Sequence, residues 1–315
     1  MTVAITGATG IVGGAILRHL LAEGQSVRAL VRAGATLPAD VEPVLGDVLE
    51  RKSLERCFAG VDTVYHVAGV NQMCSRNPAR MTRVNVEGTR LVVEAASKGR
   101  LVHTSSAATL GEREGEIGDE TSIPSGEWHS AYALSKWQAE QEVLAVAGRQ
   151  DVVVVNPSSV QGPGRATGTG KLLLGVMAGR LRTLVETRLS IVDIDDCARG
   201  HLLAAAKGES GQRYVLNSFS MALSEVVRII EEVTGRDVSV RYLPPLIAKV
   251  AGTIGGGMFR LLGKDAPICA ESVRTLLHGH VYDGTKATRE LGLVYTPADL
   301  TFRRLLDWAR LEGKI

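Results

Sequence analysis

A doubly wound, parallel α/β sheet with a smaller, mostly helical C-terminal lobe is the fold class this sequence predicts. Two observations predict it. Through the first half of the chain, short apolar runs of strand length alternate with segments whose apolar residues recur at helical spacing. A glycine-punctuated turn, Thr6 to Gly14, joins the first such run to the first such segment. Sheets of this kind use right-handed crossovers and bind ligands outside the carboxyl ends of their strands. Chemistry is therefore expected just after each strand.

The first strand is Val3–Thr6, and a helix follows over Ile11–Ala22. The turn between them reads TGATGIVGG. Gly7 permits a tight turn with φ > 0, Gly10 lets a pyrophosphate approach the backbone, and Gly13 lets helix and strand pack closely. Thr9 and Ile11 flank Gly10 at the helix N-terminus, where free N–H groups and the helix dipole favour phosphate. This predicts a Rossmann-type dinucleotide site.

The second strand is Val27–Val31, with Arg28 inside it and Arg32 just past it. An NAD site usually places an acid near here for the ribose; none is present. A guanidinium can clamp a 2′-phosphate in bidentate fashion, so NADP is expected, with NAD possible. The third strand is Val41–Leu45. After it, the carboxylate of Asp47, next to Val48, either accepts from the adenine amino group or caps the helix Lys52–Phe58. The fourth strand is Thr63–Val67. His66 in it is expected to be a packed strand residue, and Val67, Ala68 and Gly69 bring backbone against the cofactor. A helix over Ala79–Ala96 carries Asn85.

The fifth strand, Leu101–Thr104, runs into Ser105 and Ser106, and a polar loop leads to a helix over Tyr132–Ala147. Thr104 borders the cofactor. Tyr132 and Lys136 are four apart, so they share a helix face one turn apart. An ammonium near a phenol favours the phenolate, and a hydroxyl from the Ser105/Ser106 pair can hold the substrate oxygen. A sixth strand, Val152–Asn156, ends before Pro157, Ser159 and Val160 in the next loop.

The motifs TGATGIVGG, HVAGV, VNVEGTR, HTSSAATLG, YALSK and VNPSSVQGPG, with the run Val192–Asp196, follow one another at family intervals. In them the chain resembles the extended short-chain dehydrogenase/reductases, under the broad NAD-dependent epimerase/dehydratase label. It is similar to the dihydroflavonol reductase, 3β-hydroxysteroid dehydrogenase and hopanoid-associated sugar epimerase branches. The resemblance implies Ser106 as the catalytic hydroxyl, also touching substrate, and Tyr132 as the acid/base. It implies Lys136 as the partner that binds the nicotinamide ribose, Asn85 as a helix amide near the site, and Arg32 as the 2′-phosphate arginine. It also implies that the loop after Pro157 touches cofactor and substrate.

Residues 1–165 are expected to form the dinucleotide-binding domain. Residues 166–315 are expected to form the substrate lobe, with 189–217 returning to the sheet through strands at Ile191–Val192 and Tyr214–Leu216. Between those strands a helix spans Asp193–Ala206, where Asp195 and Asp196 suit a helix N-terminus better than catalysis. Further helices are expected at Ala222–Thr234, Leu246–Leu262, Ala270–Leu277, Lys286–Leu291 and Leu300–Leu311. The apolar stretch Leu243–Gly263 is too interrupted to span a membrane; a lid over an apolar pocket is favoured over contact with a membrane surface. His278 and His280 lack a third ligand in sequence, so no metal is expected.

A net charge of +2 over 315 residues, with basic residues scattered, argues against nucleic acid. Cys57, Cys74, Cys197 and Cys269 lack metal or redox spacing, so reduced thiols in a cytoplasmic protein are expected. No signal peptide is expected before the first strand. The helices Ala79–Ala96 and Tyr132–Ala147 are the expected faces of a homodimer. The expected activity is hydride transfer between a nicotinamide and a carbonyl or secondary alcohol of a moderately apolar small molecule. Two alternatives stand beside it. One is a nucleotide-sugar epimerase or dehydratase with recycled NAD, in which Arg188 holds a diphosphate. The other is a non-catalytic NAD(P)-binding sensor or scaffold.

Overall fold

The computed structural model describes residues 1–75, 77–262, 266 and 268–315. The chain begins β1 (Thr2–Thr6), α1 (Ile11–Ala22), β2 (Ser26–Val31), β3 (Val41–Leu45), α2 (Arg51–Phe58) and β4 (Thr63–His66). Next come α3 (Pro78–Thr82), a π-helical turn (Arg83–Glu87), α4 (Gly88–Ala95), β5 (Arg100–Thr104) and a 3₁₀ turn (Ala107–Thr109). Then follow β6 (Ile117–Gly118), α5 (Ala131–Leu144), β7 (Val152–Pro157), β8 (Ser159–Gln161), α6 (Thr169–Met177) and β9 (Thr183–Val185). The chain continues through β10 (Arg188–Asp193), α7 (Ile194–Lys207), β11 (Arg213–Leu216), β12 (Phe219–Ala222), α8 (Leu223–Thr234) and β13 (Arg241–Leu243). It ends with α9 (Pro245–Leu261), α10 (Ala270–His278), β14 (Val281–Tyr282), a second π-helical turn (Ala287–Leu291) and α11 (Ala298–Leu311).

Seven parallel strands form one sheet in the order β11-β7-β5-β4-β1-β2-β3. The strands are apolar on both faces because both faces are covered. The period of two sends Val3, Ile5, Val153 and Val155 toward α1 and α7, and Ala4, Val152 and Val154 toward α2, α4 and α5. The strand order reverses between β1 and β4, which places the crevice outside Thr6 and His66.

The expected single helix over Ala79–Ala96 is instead interrupted by the π-helical turn that carries Asn85. Of the two strands expected to return to the large sheet, β11 does so and β10 does not. β10 pairs with β8 and β12 in a separate three-stranded sheet. Its Leu189 and Ile191 pack in another core with α6, α8 and α11, which explains its departure. Among the described residues, no helix is long and apolar enough to cross a membrane.

Candidate active site

The glycine turn after β1 forms a backbone cradle. Gly7 has φ +78°, and a Cβ there would stand 2.6 Å from the Ala68 nitrogen. A Cβ on Gly13 would stand 2.1 Å from the Gly7 carbonyl oxygen. Side chains are excluded at both positions, so β1, α1 and the loop after β4 close on one another. Gly10 is the N-cap of α1 and no side chain caps it, so the first N–H groups stay open to a phosphate. Thr9 is exposed and Ile11 half-buried beside it. Ala68 N donates to Thr6 Oγ1 at 3.2 Å, and the exposed Gly69 lies near Asn85 Oδ1 and Lys136 Nζ. Val67 is half-buried at the same edge. These features fit a dinucleotide with its nicotinamide end toward Lys136.

Arg28 is not available for a 2′-phosphate. Its guanidinium donates to the carbonyl oxygens of Cys57 and Ala59 and pairs with Glu42 at 3.1 Å. Arg32 is exposed just past β2. Asp47 does not cap α2, whose N-cap is Glu50; it accepts from Leu49 N at 3.0 Å in a local turn. Val48 is buried against Gly88. His66 is a core residue: its ring nitrogens bond the hydroxyls of Thr6 and Thr89, and burial lowers its pKa to about 3. Pro157 ends β7, and Ser159 and Val160 begin β8 at the same edge of the sheet.

α5 carries Tyr132 and Lys136, the residues expected to handle the proton. Ser130 caps the helix, accepting from Ala133 N at 3.1 Å. Two residues on, Tyr132 opens onto a pocket whose walls include Met73, Ala108, Trp128, Ala133, Glu112 and His280. Burial raises the Tyr132 pKa, opposed by the nearby Ser106 hydroxyl and by the Arg165 guanidinium. The spacing had pointed to a phenol lowered by Lys136. Instead Lys136 Nζ donates to the Thr104 carbonyl oxygen at 2.7 Å, and burial, countered by Glu140, brings its pKa to about 8.

The two serines after β5 are placed differently: Ser105 lies in the core. It is buried and donates to Glu140 Oε2 at 2.5 Å, so only Ser106 of the pair faces the phenol. Glu140 further accepts from Thr109 and Asn156 and pairs with Arg213 at 3.1 Å. Asn85 Oδ1 accepts from Val70 N at 2.7 Å, and its amide donates to Ser135 Oγ at 2.9 Å. It thereby fixes the loop after β4 against α5.

Tertiary structure supplies residues that the sequence did not single out. Glu140 follows Tyr132 and Lys136 at the same four-residue spacing, a signal that was present. Arg165 lies in an irregular glycine-rich loop with no periodicity to mark it. Glu112 is bonded to His280 Nδ1 at 2.5 Å and lies 3.5 Å from His278 Nε2, so the two histidines do converge on a third donor. Burial alone would raise the Glu112 pKa, but hydrogen bonds from both histidines hold it below its ordinary value. His129 packs its ring 4.2 Å from that of His278.

Cys74 and Cys269 form a disulfide, contrary to the expected reduced thiols; Cys57 and Cys197 are free and buried. Sequence spacing could not reveal a pair 195 residues apart. Glu271 strengthens the same junction, accepting from Cys74 N at 2.9 Å and from Ala131 N at 2.8 Å. α10 is thus tied to the loop after β4 and to the first turn of α5. Arg188 is exposed, with its guanidinium 3.5 Å from the Ser220 carbonyl oxygen. Asp193 caps α7, and Asp196 accepts from Thr296 and Arg199, so these acids serve structure. Asp195 lies near His19 and Arg304.

The NAD dependent epimerase/dehydratase family model matches residues 3–217. The chain is 32% identical over 329 residues to a Synechocystis protein named as a dihydroflavonol 4-reductase, covering 99% of this chain and 95% of that protein. It is 30% identical over 328 residues to sterol demethylase protein B of Methylococcus capsulatus, covering 100% of both. The crystal structure of gox2253 superposes with a TM-score of 0.85 at 30% identity, covering 100% of this chain and 99% of that one. The chain is an enzyme of the extended short-chain dehydrogenase/reductase type and belongs to the NAD dependent epimerase/dehydratase family.

Proposed function

We propose that this enzyme moves a hydride between NADP and the carbonyl or secondary-alcohol carbon of a small, largely apolar molecule, with Tyr132 transferring the proton on oxygen. The observation that carries this reading is the Tyr132 phenol, beside the Ser106 hydroxyl and opening on a pocket, with Lys136 one turn away. A nicotinamide bound beside Gly69 and Lys136 supplies or accepts the hydride. In the reducing direction Tyr132 O–H gives its proton to the substrate oxygen as negative charge develops there. Ser106 donates to that same oxygen. The phenolate left behind is stabilised by Arg165. Met73, Ala108, Trp128 and Ala133 supply apolar contact, and Glu112, Glu127, His129, Ser130, Thr275 and His280 add polar groups to the wall. Arg188 does not line this pocket.

The preference for NADP rests on Arg32, the exposed cation at the end of β2 once Arg28 is committed to carbonyls. Arg32→Ala is expected to weaken NADPH binding by about tenfold or more, the range of a charged hydrogen bond, and to leave NADH binding unchanged. Titration of both reduced cofactors by fluorescence checks this. Equal affinities in the unsubstituted enzyme contradict it.

A further inference from the structure

Helix α9 carries apolar side chains that the fold does not use. Leu246 is 71% exposed, Ile247 49%, Val250 50% and Ile254 67%. At helical period these four share one face. Ala248, Gly252, Gly255 and Phe259 form the opposite face, and Gly252 sits against Val273 and Cys269. α9 therefore rests on α10 through its small residues and turns its large ones outward. None of the four outward residues lines the pocket at Tyr132. Tyr242 and Leu243 on β13 extend the exposed apolar surface.

The charges on the two elements that carry this surface are of one sign. From Arg241 to Leu261 the sequence holds Arg241, Lys249 and Arg260 and no carboxylate; Asp237 precedes this segment, Asp265 follows it, and Glu186 and Glu231 lie toward Tyr242. Arg241 and Lys249 are exposed. An apolar helical face with flanking cations and no acid matches the boundary of an anionic bilayer, where acyl chains take the apolar groups and headgroups the cations. A second copy of the chain fits poorly. A two-fold contact through α9 would bring these cations toward their own counterparts with no carboxylate of the segment to pair them.

We propose that α9 docks this enzyme on the surface of an anionic membrane, lying in the interface rather than spanning it. The docking helix is joined to the pocket through α10, on which its inner face rests and which contributes Thr275 to the pocket wall. Glu271 of the same helix holds the first turn of α5 through Ala131. An apolar substrate partitioned into the bilayer would thus be presented beside Tyr132. That last consequence rests on the proposed function; the docking does not.

The test is flotation of the full-length enzyme with phosphatidylcholine vesicles, with and without phosphatidylglycerol. The enzyme is expected to float with the anionic vesicles and to be released by salt. The double variant Ile247→Glu, Ile254→Glu is expected to lower vesicle partitioning by about tenfold or more while retaining turnover of a water-soluble carbonyl substrate. Ile254→Trp, a milder change, is expected to show a blue-shifted emission on adding anionic vesicles. Three results would overturn the proposal. The unsubstituted enzyme could stay at the bottom of the gradient with anionic vesicles. The double variant could float as well as its parent. Light scattering could show a dimer that the double variant splits, with no vesicle binding by either, which would assign the face to a second copy. Failure of docking with intact turnover would leave the proposed reaction standing.

Discussion

The hydroxyl of Ser105 donates to the Glu140 carboxylate at 2.5 Å inside the core, while the neighbouring Ser106 hydroxyl faces the phenol of Tyr132. Adjacent residues in an extended segment point to opposite sides, and here one side is the core and the other is that of Tyr132. The two serines should therefore fail differently. Ser106→Ala should lower kcat by about 10–10³-fold with the melting temperature nearly unchanged. Ser105→Ala should leave a buried carboxylate short of a donor and destabilise the fold by about 1–3 kcal/mol, with kcat largely retained. Thermal melts and turnover on the two variants check this; equal losses of kcat contradict it.

The Arg165 guanidinium opposes the rise that burial imposes on the Tyr132 phenol. Alcohol oxidation needs the phenolate as base, so its rate climbs as pH rises through the phenol pKa. Arg165→Met removes a stabilising charge, which moves that pKa further up. The alkaline climb of kcat/KM for oxidation should shift to higher pH. A profile that keeps its position while only its height falls would show that Arg165 acts on binding alone.

Glu112 and His278 make stability depend on pH. The His278 pKa is raised, chiefly by its hydrogen bond to Glu112, so its contribution is complete below the ordinary imidazole value of 6.5 and is lost as pH climbs through the raised one. The Glu112 pKa is lowered on balance, so its contribution is complete above the ordinary value of 4.5 and is lost as pH falls through the lowered one. The gap in unfolding free energy between the enzyme and Glu112→Gln should be widest between pH 4.5 and 6.5, on the order of 1–3 kcal/mol, and narrow on either side. Denaturant titrations across pH measure it. A gap independent of pH means the pair contributes only packing.

Much of the large sheet was legible because most of its strands are short apolar runs followed by a helical pattern. Observed boundaries differ from expected ones by a residue or so at β1, β2, β4, β5 and β7, and β3 and α1 coincide. The short pairs β6 with β14 and β9 with β13 were not legible, since two or three residues carry no period and their partners are remote in sequence. Tyr132 and Lys136 could be read because a helix puts residues four apart on one face. Which group each side chain bonds could not be read: Lys136 turns to Thr104, Ser105 to Glu140 and Arg28 to two carbonyls. The junctions of Glu112 with His278 and His280, and of Cys74 with Cys269, join segments that only the tertiary fold brings together.

The central claim is that Tyr132 transfers the proton. Tyr132→Phe removes one oxygen and keeps the ring, so the fold and cofactor binding should persist. The most direct measurement is kcat of Tyr132→Phe on an accepted carbonyl or alcohol, under conditions where chemistry limits the rate, with NADPH affinity determined in parallel. The account predicts a fall in kcat of about 10²–10⁴-fold with little change in cofactor affinity. A variant that keeps more than about a tenth of normal kcat would show that the proton comes from elsewhere.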